Sequence, residues 1–499
     1  MNFFRKNKNE IFIFLILGLI YFFTRLYNIL SLPIFTDESI YIYWAKYIAV
    51  NHSHWFMSLF DGKPPLLIWE IAAFLTVLPQ NMYLLAGRLP SVFAGAVSLI
   101  GVYYLAILLF RSRRTAIVSS VFYVLSPFIL FYDRMALFDS LLTALLIWSV
   151  YFAIKTGMNL KVKDAVLWGI FLGLAFLAKP TAIIFLILTP VYMFMFCDFK
   201  KIKQHFKTII FLDITMLLVS QAINNVQRLS NAFPLAAIKN AQFQLPLKDL
   251  LMNPFQLMGG NLHAFFSWII PYYTLPVFLL GIFCFLFLFR FEAKKALILL
   301  SLWLLPIFIF AMVGREIFPR YILFTTPYFF FPLAFAVDRI LSFKKMSGVV
   351  GIILVGIVLY SSVLFSFKIL VNPATAPFPL ADRQQYITGH PSGYGLDSVF
   401  AFLHEESKKD KITVITQGTF GLYPYAFYME FWNDPRVNVL GRWPLDKIDP
   451  DMIQIQETQK LFIILKEHDV IPMALPLQLV LKAEKPGNHF PIFVTTLKK

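Results

Sequence analysis

The chain reads as a polytopic α-helical membrane protein closed by a small soluble α/β domain, and three observations predict this. Of 499 residues, 59% are hydrophobic and 14% charged, with a mean hydropathy of +0.69, against roughly 45–50% apolar residues in an ordinary soluble domain. Apolar runs long enough to cross a bilayer recur along most of the length, separated by short basic clusters. Beyond about residue 372 these runs give way to short segments of soluble character. The formal charge of +16 is spread over the scattered clusters and forms no single stripe, which marks topology and argues against nucleic acid as a partner. Cys197 and Cys284 lie far apart in apolar runs, so neither a disulfide framework nor a thiolate metal cluster is indicated.

In order along the chain, "MNFFRKNKNE" followed by "IFIFLILGLIYFF" has a signal peptide's basic flank. Its apolar stretch is too long and no small-residue cleavage site follows, so it is expected to stay as the first transmembrane helix. Cytoplasmic loops carry excess Lys and Arg. The inside markers are then Arg5, Lys6 and Lys8; Arg111, Arg113 and Arg114; Lys155, Lys161 and Lys163; Lys200, Lys201, Lys203 and Lys207; Arg290, Lys294 and Lys295; and Arg339, Lys344 and Lys345. Spans fit near 10–30, 88–110, 115–131, 140–156, 165–179, 181–198, 208–224, 271–289, 296–313, 321–340 and 347–370, about eleven crossings with the N-terminus inside. Counting 64–79 as a span would put "RSRR" outside, so that apolar piece is placed in or on the outer leaflet, within a long first outer loop, 31–87. Residues 1–371 are the expected membrane core and 372–499 a soluble α/β domain on the outer side, roughly 125 residues and long enough for its own core. There "KITVITQG" and "LFIILK" read as strands, "DSVFAFLHEESKK" as a helix, and "LQLVLKAE" with "FPIFVTTLKK" as a closing strand pair.

This topology gathers the remaining polar residues at the outer boundary: Asp37, Glu38, Asp61, Lys63, Arg88, Asp133, Arg134, Asp139, Lys179, His263, Arg315, Glu316, Arg320 and Tyr321. Ionisable groups at membrane depth cost ~2.5–3.5 kcal/mol and tend to mark functional paths. Lys179 in "GLAFLAKPTAIIFLILTP" stands in a two-residue break between apolar runs, where it either snorkels from a tight hairpin or serves a site. "TDES" supplies helix-capping oxygens, but capping needs one acid at most. The adjacent carboxylates Asp37 and Glu38, with basic residues in several other loops, suggest an acid facing an anionic lipid substrate. The prolines of "DGKPPLLIWE" stiffen the chain so that Lys63 is held near the interface, as phosphate contact or simple anchor. Arg320, suited to bidentate phosphate contact, has the hydroxyl of Tyr321 beside it. Arg134 either serves a ligand or pairs with Asp133 or Asp139.

"FTDESIYIYWAKYI", "DGKPPLLIWE", "AGRLPSVFAGAVSLIGVYYLA", "RMALFDSLLTALLIWSVYFA", "GLAFLAKPTAIIFLILTP" and "FPRYILFTTPYFFFPLAF" resemble, in the same order, the membrane core of the GT-C glycosyltransferases over residues 10–340. The branch they resemble is the protein O-mannosyltransferase and aminoarabinose transferase group, which uses polyprenyl-phosphate sugars. The resemblance implies that Asp37 is the catalytic acid of the first outer loop and Lys63 the phosphate-contacting lysine. It makes Arg320 and Tyr321 the late "RY" pair and Asp139 the second outer acid. Two positions depart from the aminoarabinose branch. Ile40 stands where an arginine is usual, and Gly62 stands where an acid precedes the lysine, with Asp61 one step back. Asp61 and His263 are the candidate ligands if a divalent metal ion assists.

The implied reaction moves a sugar from a polyprenyl-phosphate donor to an acceptor protein, glycan or lipid on the extracytoplasmic face of a bacterial or archaeal cytoplasmic membrane. A phosphate leaves as an anion, so the chemistry needs a base for the acceptor hydroxyl and cations for the phosphate. Asp37 is the expected base, with inversion. Lys63, Arg320 and Tyr321, helped by Arg134 or Lys179, are the expected phosphate contacts. Glu38 and Asp139 are acceptor or sugar contacts, or positioners of basic residues, since a single displacement needs no second nucleophile. The alternative is a lipid or glycan transporter or flippase, which often shows inverted repeats and midplane charge; here no repeat is visible and the charge lies at one face.

Overall fold

The computed structural model describes residues 8–51, 54–198, 202–342 and 348–498, so Arg5, Lys6, Lys200, Lys201, Lys344 and Lys345 lie outside the described residues. The chain forms two compact units: Met1–Tyr27, Trp55–Leu67 and Leu89–Leu370 in the first, and Asn28–His54, Ile68–Arg88 and Val371–Lys499 in the second.

The first unit is helical. Along the described residues of the chain, five helices are long and apolar enough to cross a membrane: Gln80–Phe110, Phe138–Asn159, Lys203–Leu229, Leu275–Val313 and Pro319–Ser342. A sixth appears if Arg113–Leu125 and Pro127–Asp133, bent by 63°, form one broken span. Ser126 makes that bend: its backbone is extended, its Oγ accepts from the Ile129 N–H, and Pro127 opens the next helix at a position that needs no donor. Shorter apolar helices cover Phe12–Leu26, Leu66–Val77, Pro180–Met195 and Gly356–Val371. The expected spans 271–289 and 296–313 form one element, Leu275–Val313, interrupted only at Glu292 (φ −144°, ψ 55°), so the basic cluster between them, Arg290, Lys294 and Lys295, lies on helical residues that flank the break. Gly169 and Gly173 let the helices Val162–Ala178 and Ile202–Asn224 approach at backbone distance. A Cβ at Gly169 would sit 2.8 Å from the Met216 carbonyl oxygen, and one at Gly173 2.9 Å from that of Ser220.

The second unit carries a five-stranded sheet, β1 (Ile412–Gln417), β2 (Val437–Arg442), β3 (Lys460–Leu465), β4 (Leu477–Ala483) and β5 (Ile492–Leu497), in the order β2-β1-β3-β5-β4. β2, β1 and β3 are parallel, and β5 runs antiparallel to both β3 and β4. Parallel neighbours need crossover connections, supplied by the helices Leu422–Glu430 and Pro450–Thr458. The central strands β1 and β3 are buried almost throughout, whereas the edge strands β2 and β4 are partly exposed. Ile415, Met452, Ile463 and Phe493 anchor the core on one side of the sheet. The expected strands and the helix Leu396–Lys409 are all present; β2 is an addition.

The helix Thr36–Val50 is built into this unit. Its Tyr43 stacks on Tyr425 with ring centroids 4.5 Å apart. At its start, the Thr36 N–H and Oγ1 donate to the Pro391 carbonyl at 3.2 and 3.0 Å, and Phe35 pairs antiparallel with Ser392. The buried Lys485 Nζ in turn donates to the carbonyls of Gly389 and Ser392 at 3.0 and 2.9 Å. One lysine thus ties down the loop on which the helix begins.

Candidate active site

In the second unit the two adjacent acids have different surroundings. Glu38 is fully buried, and its carboxylate receives both arms of the buried Arg88: Nε to Oε1 at 2.8 Å and Nη2 to Oε2 at 2.7 Å. The Phe35 N–H adds a bond to Oε2 at 3.1 Å. The remaining Arg88 nitrogen, Nη1, donates to the carbonyls of Ile29 and Leu32 at 2.6 and 2.9 Å. A bidentate pair saturated by backbone groups in this way fixes geometry, because both charges lose water and every lone pair needs a partner. Asp37, one residue back in the same helical turn, is half-buried. The pair therefore anchors the turn that carries Asp37.

In the first unit cations converge. Lys179 ends the helix Val162–Ala178 with an extended backbone (φ −156°, ψ 135°), the conformation that the following Pro180 imposes. Its Nζ meets Asp139 Oδ1 at 2.7 Å and lies 4.1 Å from the centroid of the Tyr321 ring. Arg320 and Lys63 both lie near enough to act on it electrostatically. Arg320 is buried, with its guanidinium carbon 4.6 Å from the Phe318 ring centroid and 5.7 Å from that of Tyr321. Pro319 opens the short helical stretch Pro319–Thr325 that presents the pair. Lys63 Nζ lies 5.1 Å from the Phe243 ring centroid. Phe243 is fixed in turn, since its carbonyl accepts from the Arg315 N–H at 3.0 Å and Leu245 N–H donates to Val313. Three cations from distant parts of the sequence thus share one neighbourhood with the Asp139 carboxylate and the Tyr321 ring, an arrangement suited to a phosphate.

Gly62 explains why no acid precedes Lys63. It closes the short helix Met57–Asp61 at φ +79°, its carbonyl accepts from Asn240 Nδ2 at 3.0 Å, and a Cβ there would meet Lys239 Cβ at 3.0 Å. His263 is exposed on the helix Met258–Tyr273, and Asp61 is half-buried. Among the described residues no group of three or more His, Cys, Asp or Glu side chains is placed to hold a metal ion.

Arg134 Nη1 donates to the carbonyls of Thr24, Arg25 and Tyr27 at 2.9, 3.2 and 2.7 Å, capping the C-terminal end of the first helix. Asp133 meets Arg25 at 3.5 Å and accepts from Tyr21 Oη and Ser140 Oγ. Arg25 was hidden inside the expected first span. A lone arginine in an otherwise apolar run was the signal that a buried acid waits elsewhere.

Residues 62–223 match the family model described as dolichyl-phosphate-mannose-protein mannosyltransferase. No curated protein matches the chain. Two crystal structures of ArnT from Cupriavidus metallidurans share the fold over 98% of both chains. The apo structure has a TM-score of 0.59 at 13% identity, and the structure bound to undecaprenyl phosphate 0.60 at 12%. The GT-C resemblance read from the ordered motifs is borne out, together with a helical membrane core and a small C-terminal sheet domain.

Proposed function

We propose, from the GT-C membrane-glycosyltransferase fold as premise, that the chain transfers a sugar from a polyprenyl-phosphate donor to an acceptor hydroxyl at the extracytoplasmic face, with inversion. The observation that carries this reading is the convergence of Lys63, Lys179 and Arg320 beside Tyr321 and Asp139. In this reading these cations hold the donor phosphate and stabilise the charge that grows on it as the glycosidic bond breaks. Asp139 positions the Lys179 ammonium.

Asp37 is the base that takes the acceptor proton. Glu38 leaves that role to its neighbour because its lone pairs are committed to Arg88 and the Phe35 N–H. Arg134 is left out of the phosphate set because three carbonyls engage its Nη1. The match to a mannosyltransferase family model and the lipid phosphate bound by the ArnT structure support a lipid-linked donor here.

The test is release of polyprenyl phosphate from a panel of polyprenyl-phosphate sugars by purified wild type and by Asp37→Asn. Release by wild type alone supports the assignment. Equal release by both would remove Asp37 from catalysis.

A further inference from the structure

A cavity of about 330 Å³ lies within the second unit, in the size range of small-ligand sites. Leu30, Pro33, Ile34, Leu396 and Phe400 give it apolar walls, and Tyr83, Asp397, His404 and Glu430 bring polar groups to it. Glu430 is already organised: Oε1 meets His404 Nε2 at 2.8 Å and Oε2 accepts from Tyr83 Oη at 3.1 Å. Asp397 stands in the first turn of the helix Leu396–Lys409, an exposed residue that lines the cavity. Partial desolvation there, with the Glu430 carboxylate nearby as a smaller cause, pushes its carboxyl up from the ordinary value.

The lining contains two carboxylates, a phenol and an imidazole, and neither lysine nor arginine. An anionic ligand would therefore be repelled. The acids and the histidine form no metal-holding group among the described residues. Carboxylates that accept, a phenol and imidazole that exchange hydrogen bonds, and an apolar wall with one aromatic ring suit a neutral polyhydroxylated ring, whose hydroxyls seek acceptors and whose C–H face seeks apolar surface.

We infer that this cavity binds a neutral saccharide unit of the acceptor. Its acceptor role rests on the proposed transferase function; saccharide binding itself does not. The cavity is tied mechanically to the acid. Its wall at Leu30, Pro33 and Ile34 is held by the Arg88 bonds to Ile29 and Leu32, and Arg88 clamps Glu38 beside Asp37. Tyr83 and Arg88 belong to the same helix, Tyr83–Phe110.

The experiment is saturation-transfer NMR on the full chain in detergent with methyl α-mannoside, N-acetylglucosamine and glucosamine. Wild type should transfer magnetisation to at least one neutral sugar. Asp397→Ala should weaken that binding about tenfold, the effect of one charge-assisted hydrogen bond. Ala401 also lines the cavity, and Ala401→Trp, which fills it and leaves the polar groups in place, should remove that binding. A response from glucosamine alone, a response unchanged in both variants, or no response from any sugar would overturn the inference. Polyprenyl phosphate release by wild type and Asp37→Asn, scored alongside, keeps the two readings apart: saccharide binding without Asp37-dependent release leaves the site and removes the acceptor role, and the reverse leaves the transferase and removes the site.

Discussion

Asp37 and Glu38 are chemically alike and adjacent, yet burial sets them in different surroundings. Removing one member of the buried Glu38–Arg88 pair strands the other charge, so Arg88→Met should destabilise the protein by about 3–5 kcal/mol. Pairing it with Glu38→Met should restore much of the loss. Thermal unfolding of the three variants in detergent checks both expectations, and an Arg88→Met protein as stable as wild type would make the pair incidental. Lys485 gives a pH-dependent counterpart. Burial lowers its ammonium from the ordinary 10.5 to about 7. Between these values the unfolded chain holds a proton that the folded chain has released, so this group makes stability rise with pH from about 7 to 10.5. Wild type should therefore gain more than Lys485→Met in unfolding temperature on passing from pH 7 to 9.5, and an equal gain would refute the assignment. The candidate residues themselves were legible as charges in an apolar sequence. The contacts that sort Glu38 from Asp37, and that occupy Arg134 with three carbonyls, depend on residues far along the chain and left no local pattern.

Among the elements, those with long apolar runs or clear strand patterns were readable. β2 was not, because "VNVLGR" carries Asn438 and Gly441, residues poor in strand propensity, lies at a partly exposed edge, and is made a strand by pairing with β1. The bend at Ser126 was written in "SP", but its meaning needs the two apolar helices on either side. Close packing was equally hidden. Gly95 lies where the helix Tyr83–Phe110 passes Tyr21 and Asp133, and a methyl group there would run into the Tyr21 hydroxyl and the Asp133 carboxylate. Gly95→Ala should therefore cost about 1–3 kcal/mol as overpacking. Gly18→Ala, with open space around its would-be Cβ, is the control. Equal unfolding temperatures for the two variants would show that the buried Asp133 cluster yields easily.

At the scale of the whole molecule, the proposed function gives phosphate recognition and proton removal to residues that fall in different compact units. Lys63→Ala and Arg320→Ala should each weaken binding of undecaprenyl phosphate about tenfold or more, the scale of a lost charge-assisted contact. Asp37→Asn should bind it as wild type does while failing to turn over. Loss of lipid binding in Asp37→Asn would contradict that division. The chain enters the second unit three times, at Asn28–His54, Ile68–Arg88 and Val371–Lys499, and the Asp37 helix starts on a loop from the last of these. Such interleaving has a consequence for descent. The C-terminal sheet domain is not a cassette that recombination could exchange at one splice point, since a foreign domain would arrive without the residues that seat the helix. Its history is bound to that of the segment Asn28–His54, and the two can diverge only by compensating changes made together.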